Sequence, residues 1–172
     1  VPFANYFEKN GYKVYGVDIA PILIEKCKKL NRNINSEVGD AENLKYPENF
    51  FNCTYCFHST AYFTNLDKVI DEMLRVGREG IVTFPNFAHW RLRWGLALSG
   101  RMPESDALPY KWYNTPNIRL CTFKDFEALC RQKGIRIKSR RVVDGQHQNS
   151  WLARLWPNLL GEIAIYRITR ET

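Results

Sequence analysis

Long apolar runs, signal-like segments and metal-binding patterns are scarce in this sequence. No apolar run approaches the roughly 20 residues that a helix needs to cross a bilayer, so no membrane span is expected. The first residues show no signal-peptide pattern, which favours a cytoplasmic protein. The three histidines, His58, His89 and His147, form no recognisable metal pattern, and no metal is expected.

Cysteine is present in an odd number, five, and reduced thiols are the expectation for a cytoplasmic chain. Cys53 and Cys56 have CxxC spacing, but they fall in a strand-like run. Residues i and i+3 of a strand point to opposite faces. The pair therefore cannot share a metal, and both are interpreted as core residues.

The composition predicts one globular domain over residues 1–172, with 45% apolar and 25% charged residues. The net charge of +7 could serve an anionic partner, but the basic residues are spread widely. The stretch 89–94, HWRLRW, has the mixture of arginine and aromatic residues that binds nucleic acids. No RNA-binding fold signature accompanies it, so nucleic acid is not expected. Trp90, Trp94 and Leu98 instead have helical spacing, which predicts one packed apolar face.

Helices and strands alternate along the chain, which predicts an α/β protein built on a parallel sheet. The predicted strands cover residues 12–18, 33–38, 50–57, 80–84, 135–143 and 162–168. The predicted helices cover 2–10 and 21–30, and two more begin at the capping-box patterns of Thr64 and Thr122. The alternation stops between 86 and 116, an insert rich in aromatic residues and arginine.

The segment Tyr12 to Asp18 is a predicted strand that ends on an acid, and Pro21 suits the first position of the next helix. In doubly wound sheets, an acid at the carboxyl end of a strand binds the ribose of a nucleoside cofactor. Asp18 could equally cap the following helix. The residues alone leave both interpretations open.

The order of these elements resembles the class I S-adenosylmethionine-dependent methyltransferases. The resemblance rests on Val14–Asp18, Gly39–Leu44, the strand to Phe57 and the helix 68–75 before the next strand. It implies a Rossmann-like fold, mostly parallel with an antiparallel last strand, and S-adenosylmethionine as cofactor. The cofactor-binding residues that it implies are Gly16, Asp18, Ile19, Asp40, Ala41, Phe57 and His58.

The second half resembles the MetW family of methionine biosynthesis proteins more narrowly. The matching stretches are 73–80, 82–90, 100–103, 108–117, 120–122 and 125–130. The resemblance implies a methyltransferase-like protein of methionine biosynthesis that acts on a small molecule. It also implies an alternative, a non-catalytic regulator that binds and activates a homoserine O-acyltransferase.

Class I methyltransferases begin with a strand and a GxGxG turn, which would end near Val1 when counted back from Asp18. Neither is found in the sequence. The expectation is that the first strand is missing and that this domain is incomplete at its N-terminus.

The insert 86–116 is expected to cover the mouth of the cofactor site. His58 follows a strand and is a candidate general base, although a hydrogen-bonded loop histidine is the alternative. The residues that could select a substrate or bind a partner are His89, Tyr110, Trp112, Tyr113, Asn114 and Arg119. For Trp90, Trp94 and Trp112, the competing interpretation is a small hydrophobic core beneath the insert.

Overall fold

The computed structural model describes residues 2–56, 65–105, 108, 111–115, 120–143 and 155–170. The chain divides into two compact units, Val1–Tyr46 and Pro47–Thr172. No helix among the described residues has both the length and the apolar character to span a membrane.

The first unit is a small parallel βα arrangement. Its elements are α1 (Pro2–Lys9), β1 (Tyr15–Asp18), α2 (Pro21–Leu30) and β2 (Asn35–Val38). β1 and β2 pair in parallel, with Asp18 opposite Val38. The Asn31 side chain donates a hydrogen bond from Nδ2 to Oδ1 of Asn5, 2.8 Å away, which ties the end of α2 to α1.

The second unit is built on a four-stranded mixed sheet. Its strands are β3 (Thr54–Cys56), β4 (Gly80–Pro85), β5 (Ile135–Val143) and β6 (Ile163–Arg170). Its helices are α3 (Leu66–Val76), α4 (Trp90–Ser99), α5 (Phe123–Gln132) and the short α6 (Pro157–Leu160). The strand order is β3-β4-β6-β5, and β6 runs antiparallel to both of its neighbours. The antiparallel last strand is therefore confirmed.

The core of this unit lies between the sheet and α5. Phe84, Phe123, Phe126 and Tyr166 are each almost completely buried, and the rings of Phe126 and Tyr166 have centroids 4.7 Å apart. The Tyr166 hydroxyl donates a 2.8 Å hydrogen bond to Oε1 of Glu127. Burial, followed by this hydrogen bond, raises the pKa of Tyr166. The phenol thus stays protonated, and its one polar atom is satisfied inside an apolar core.

Two apolar segments are less buried than their patterns predict. In the predicted strand 50–57, Phe50, Cys53 and Tyr55 are exposed, and only β3 is extended among its described residues. The prediction that Cys53 packs in the core is wrong, because the segment has only one neighbouring strand among the described residues, β4. In α2, Ile24 is buried but Leu23 and Leu30 are exposed, since a two-stranded sheet offers only a narrow face to cover.

The predicted packed face of α4 is also not formed. Trp94 is 59% exposed and Leu98 is 80% exposed, and Trp90 is partly exposed. Trp112, on the turn that was expected to join the same core, is 73% exposed. The helix is instead anchored through Leu92, which is buried. The helical spacing was right, and its assignment to an internal core was wrong.

Candidate functional site

Two carboxylates follow neighbouring parallel strands in the first unit. Asp18 is the last residue of β1, and Asp40 follows β2 by two residues. The Gly39 amide donates a 3.1 Å hydrogen bond to the Asp18 carbonyl, so the two strand ends stay in register as they leave the sheet. A Cβ atom on Gly39 would lie 2.9 Å from Cγ1 of Val17, and glycine is required for this approach. The carboxyl ends of adjacent strands thus bring Gly16, Asp18, Asp40 and Ala41 to one edge.

Asp18 stabilises a turn without capping α2. Its Oδ1 accepts a hydrogen bond from the Ala20 amide at 2.8 Å. Ala20 is the N-cap of α2, and that helix has no side-chain cap. Among the described residues, Oδ2 of Asp18 accepts no hydrogen bond. The half-buried carboxylate can therefore accept a further hydrogen bond from a ligand.

Asp40 has a similar local arrangement. Its Oδ1 accepts a 2.8 Å hydrogen bond from the Glu42 amide, and its side chain is exposed. Ile19, beside Asp18, is 74% exposed and offers an apolar surface at the same edge. Two acceptors and an apolar contact are the groups that a nucleoside cofactor uses in doubly wound folds.

The second unit contains a separate cavity of about 210 Å³ at the carboxyl end of β4. It is bounded by the end of β4, the start of α4, the segment after α4 and the residue before β6. The lining residues are Pro85, Asn86, His89, Arg91, Leu92, Glu104, Ser105, Leu108 and Glu162. The cavity combines an apolar wall with one histidine and charges of both signs.

His89 is the most deeply buried titratable group of this cavity. Its side chain is 9% exposed, and its Nε2 lies 4.0 Å from Oε1 of Glu162, beyond hydrogen-bonding distance. Burial lowers the pKa of His89, Glu162 opposes this shift, and Arg91 adds to it. The imidazole is therefore neutral near pH 7.

Asn86 fixes the segment that carries His89. It is 1% exposed, and its Nδ2 donates hydrogen bonds to the carbonyls of Gly161 (2.7 Å) and Asn158 (3.2 Å). Its Oδ1 accepts the Ala88 amide at 3.0 Å. One side chain thus joins the turn after β4 to the segment that leads into β6.

The family assignment follows from the sequence. The family described as methionine biosynthesis protein MetW matches residues 4–168. The chain belongs to the MetW family. The bifunctional methionine biosynthesis protein MetXA/MetW of Rhodopirellula baltica is 34% identical over 108 residues, which are 62% of this chain. The match spans 17% of that relative, about a sixth of its length.

Solved structures show the fold of this MetW-family chain. The PH0226 protein of Pyrococcus horikoshii is 18% identical, with a TM-score of 0.70 over 98% of this chain and 76% of the other. An S-adenosylmethionine-dependent methyltransferase of Mesorhizobium loti is 11% identical, with a TM-score of 0.68 over 98% of this chain and 85% of the other. The predicted class I methyltransferase fold is confirmed, and the chain is a methyltransferase-like protein of methionine biosynthesis.

The remaining predicted site residues have different positions in this MetW-family structure. His89 lines the cavity of the second unit. Trp112, Tyr113 and Asn114 lie on an exposed turn and do not line that cavity, and the first two rings make an edge contact with centroids 5.7 Å apart. Phe57, His58, Tyr110 and Arg119 lie outside the described residues. No group of three potential metal ligands comes together in the part of the chain that the structure describes.

Among the described residues that line the cavity, only His89 was predicted as a site residue; Asn86 and Glu162 are two of those that were missed. Asn86 lies in the stretch 82–90 that resembles the MetW family, and a polar residue directly after a buried strand is a usable signal. Glu162 begins a predicted strand, and its nearness to His89 depends on the antiparallel pairing of β4 with β6. That pairing could not be obtained from local sequence.

Proposed function

We propose that this chain binds S-adenosylmethionine at the carboxyl ends of β1 and β2 and transfers its methyl group to a small molecule. The observation that carries the proposal is the pair Asp18 and Asp40 at the carboxyl ends of adjacent parallel strands in a methyltransferase fold. Asp18 would hold the ribose, and Asp40 with Ala41 would lie beside the adenine. Gly16 and Ile19 would contribute backbone and apolar contacts.

The residues of this edge fit such a cofactor. Oδ1 of Asp18 is engaged by its own turn, while Oδ2 remains an acceptor for a ribose hydroxyl. Bound S-adenosylmethionine supplies an activated methyl group, so this chain needs only to orient the acceptor and exclude water. His58 stays a predicted base and is needed only for an acceptor that must lose a proton.

The test is calorimetric titration of S-adenosylmethionine into the protein. Asp18→Asn keeps an oxygen for the Ala20 amide but removes the charge, and we expect at least about tenfold weaker binding. Glu25→Gln is the matched control, since Glu25 is an exposed acid on α2 in the same unit. Unchanged affinity in Asp18→Asn, or no binding by the unaltered protein, would refute the assignment.

Methyl transfer itself needs a second measurement. The protein, S-adenosylmethionine and candidate small acceptors are incubated, and S-adenosylhomocysteine is quantified. Acceptor-dependent formation of this product supports the enzyme. Cofactor binding without turnover on any acceptor favours the second candidate function.

That second candidate is a regulator that binds and activates a homoserine O-acyltransferase. It is supported by the fused MetXA and MetW parts of the Rhodopirellula relative. It is supported independently by the exposed face of α4, formed by Trp90, Trp94 and Leu98. Large exposed aromatic side chains are characteristic of the energetic centres of protein interfaces. Trp112 and Tyr113 are also exposed and are further candidates for a partner surface.

The regulator is tested by assaying the acyltransferase with and without this chain. We expect Trp94→Gln and Leu98→Gln to reduce activation without changing S-adenosylmethionine affinity. Leu96→Gln is the control, because Leu96 is also exposed but lies on another face of α4. Full activation by a folded Trp94→Gln, Leu98→Gln double variant would exclude this surface.

A further inference from the structure

The cavity at the carboxyl end of β4 has the size of a small metabolite. Its volume of about 210 Å³ is below the roughly 300–1,000 Å³ of sites for drug-sized ligands. A free amino acid has a volume suited to this space.

His89 shows that the cavity is a polar site and not a packing defect. Its side chain is nine-tenths buried, it lines the cavity, and it makes no hydrogen bond to a described residue. Buried polar groups in folded proteins nearly always have a hydrogen-bond partner. An imidazole in the lining, without a protein hydrogen bond among the described residues, is available to water or to a ligand in the cavity.

The charges around His89 restrict that group further. Arg91 lies at the start of α4, with its guanidinium carbon 5.5 Å from the centroid of the Trp90 ring. Glu104 and Glu162 contribute two carboxylates to the same lining. A phosphate would be repelled by both carboxylates, and a simple cation would be repelled by Arg91. A ligand with one negative and one positive group satisfies both kinds of charge.

The apolar part of the lining accounts for the rest of the ligand. Leu92 and Leu108 are 5% and 7% exposed, and Pro85 completes this wall. Such a wall accepts a short, largely apolar side chain. Asn86 holds the wall and His89 in place through its three hydrogen bonds.

We propose that this cavity binds a free α-amino acid with a short side chain. Its carboxylate pairs with Arg91, its ammonium group pairs with Glu104 and Glu162, and His89 hydrogen-bonds within the cavity. The inference does not depend on the proposed function. Binding itself requires residues of the second unit alone.

The test is calorimetric titration with L-methionine and L-homoserine in the absence of S-adenosylmethionine. Two analogues of methionine each lack one charge: L-methioninol has no carboxylate, and 4-(methylthio)butanoate has no ammonium group. We expect at least one of the two amino acids to bind. If methionine is the ligand, both analogues should bind at least about tenfold more weakly than methionine. If homoserine is the ligand, homoserinol and 4-hydroxybutanoate replace them.

Charge-specific variants separate recognition from misfolding. Arg91→Gln should weaken binding of the amino acid about tenfold but leave binding of the carboxylate-free analogue unchanged. Glu162→Gln should weaken binding of every ligand except the ammonium-free analogue. Arg136→Gln is the matched control, because Arg136 is exposed on β5 and does not line the cavity. A folded Arg91→Gln that weakens all ligands equally would contradict the assignment of the carboxylate to Arg91.

Several outcomes would overturn the inference. The first is that neither amino acid binds at a concentration of about 10 mM. The second is that inorganic phosphate binds in a manner that depends on Arg91. The third is that neither variant changes the affinity for the amino acid. Asp18→Asn keeps the two proposals distinguishable. It should weaken cofactor binding at least about tenfold and leave amino-acid binding unchanged, so each proposal can fail without the other.

Discussion

Removal of the Asn86 side chain should destabilise the second unit and open its cavity. Asn86 is 1% exposed and makes three hydrogen bonds to backbone groups. In Asn86→Ala, the carbonyls of Gly161 and Asn158 lose this donor, and the Ala88 amide loses its acceptor. Each intramolecular hydrogen bond contributes a net ~0.5–1.5 kcal/mol. The expected loss for the three bonds is therefore about 1.5–4.5 kcal/mol, a large share of the roughly 5–15 kcal/mol of a typical domain.

Asn86→Asp should cost more than Asn86→Ala near pH 7. The carboxylate has the same shape and still accepts the Ala88 amide, but it places an oxygen opposite the Gly161 carbonyl, where the amide nitrogen now lies 2.7 Å away. A buried charge facing an acceptor is both desolvated and repelled. Protonation at low pH restores one donor, so the difference between the two variants should narrow there.

Urea unfolding followed by tryptophan fluorescence measures these changes. All five tryptophans lie between positions 90 and 156, so the signal reports on the second unit. Asn52→Ala, at an exposed position of the same unit, is the control and should change the free energy of unfolding by less than about 0.5 kcal/mol. A similarly small loss in Asn86→Ala would refute the account of this segment.

Two further changes test other parts of the structure. The Thr122 hydroxyl oxygen accepts a hydrogen bond from the Asp125 amide at 3.2 Å and caps the N-terminus of α5. Thr122→Ala should therefore lower the free energy of unfolding, measured in urea, by about 1 kcal/mol, whereas Thr122→Ser should retain most of the stabilisation. Because the pKa of His89 is lowered in the folded protein, the unfolded chain binds more protons than the folded protein at pH values just below the ordinary histidine pKa of about 6.5. Its contribution to stability should therefore be complete above about pH 6.5 and fall as the pH drops toward the folded-state pKa. His89→Asn should flatten that part of the stability profile, and an unchanged slope would contradict the assigned burial.

Local sequence signals predicted the boundaries of several elements. The structure begins α2 at Pro21 and ends it at Leu30, as predicted, because proline is preorganised for the first helical turn. The capping pattern at Thr122 also predicted the start of α5, and the Thr122 hydroxyl and the Asp125 carboxylate are hydrogen-bonded at 2.6 Å. Each of these signals depends on contacts within four residues, which a sequence displays directly.

Burial was harder to predict, because it depends on what packs against a pattern. Trp90, Trp94 and Leu98 have the spacing of a packed helical face whether the partner is the same chain or another molecule. The structure exposes them, and only Leu92 of α4 is buried. Asn86 escaped prediction for a related reason: its partners Asn158 and Gly161 are 72 and 75 residues away along the chain.

The class I fold is shared by both candidate functions, so the decision between them depends on sites and not on architecture. The carboxylates of Asp18 and Asp40 belong to the first unit, whereas the cavity and the exposed face of α4 belong to the second. Methyl transfer requires the cofactor residues of the first unit, and it has no need of the α4 face. Regulation of an acyltransferase requires the α4 face and can proceed without turnover. Asp18→Asn and the Trp94→Gln, Leu98→Gln double variant should therefore have opposite effects in the two cases: the first impairs methyl transfer at limiting S-adenosylmethionine, and the second impairs activation of the acyltransferase.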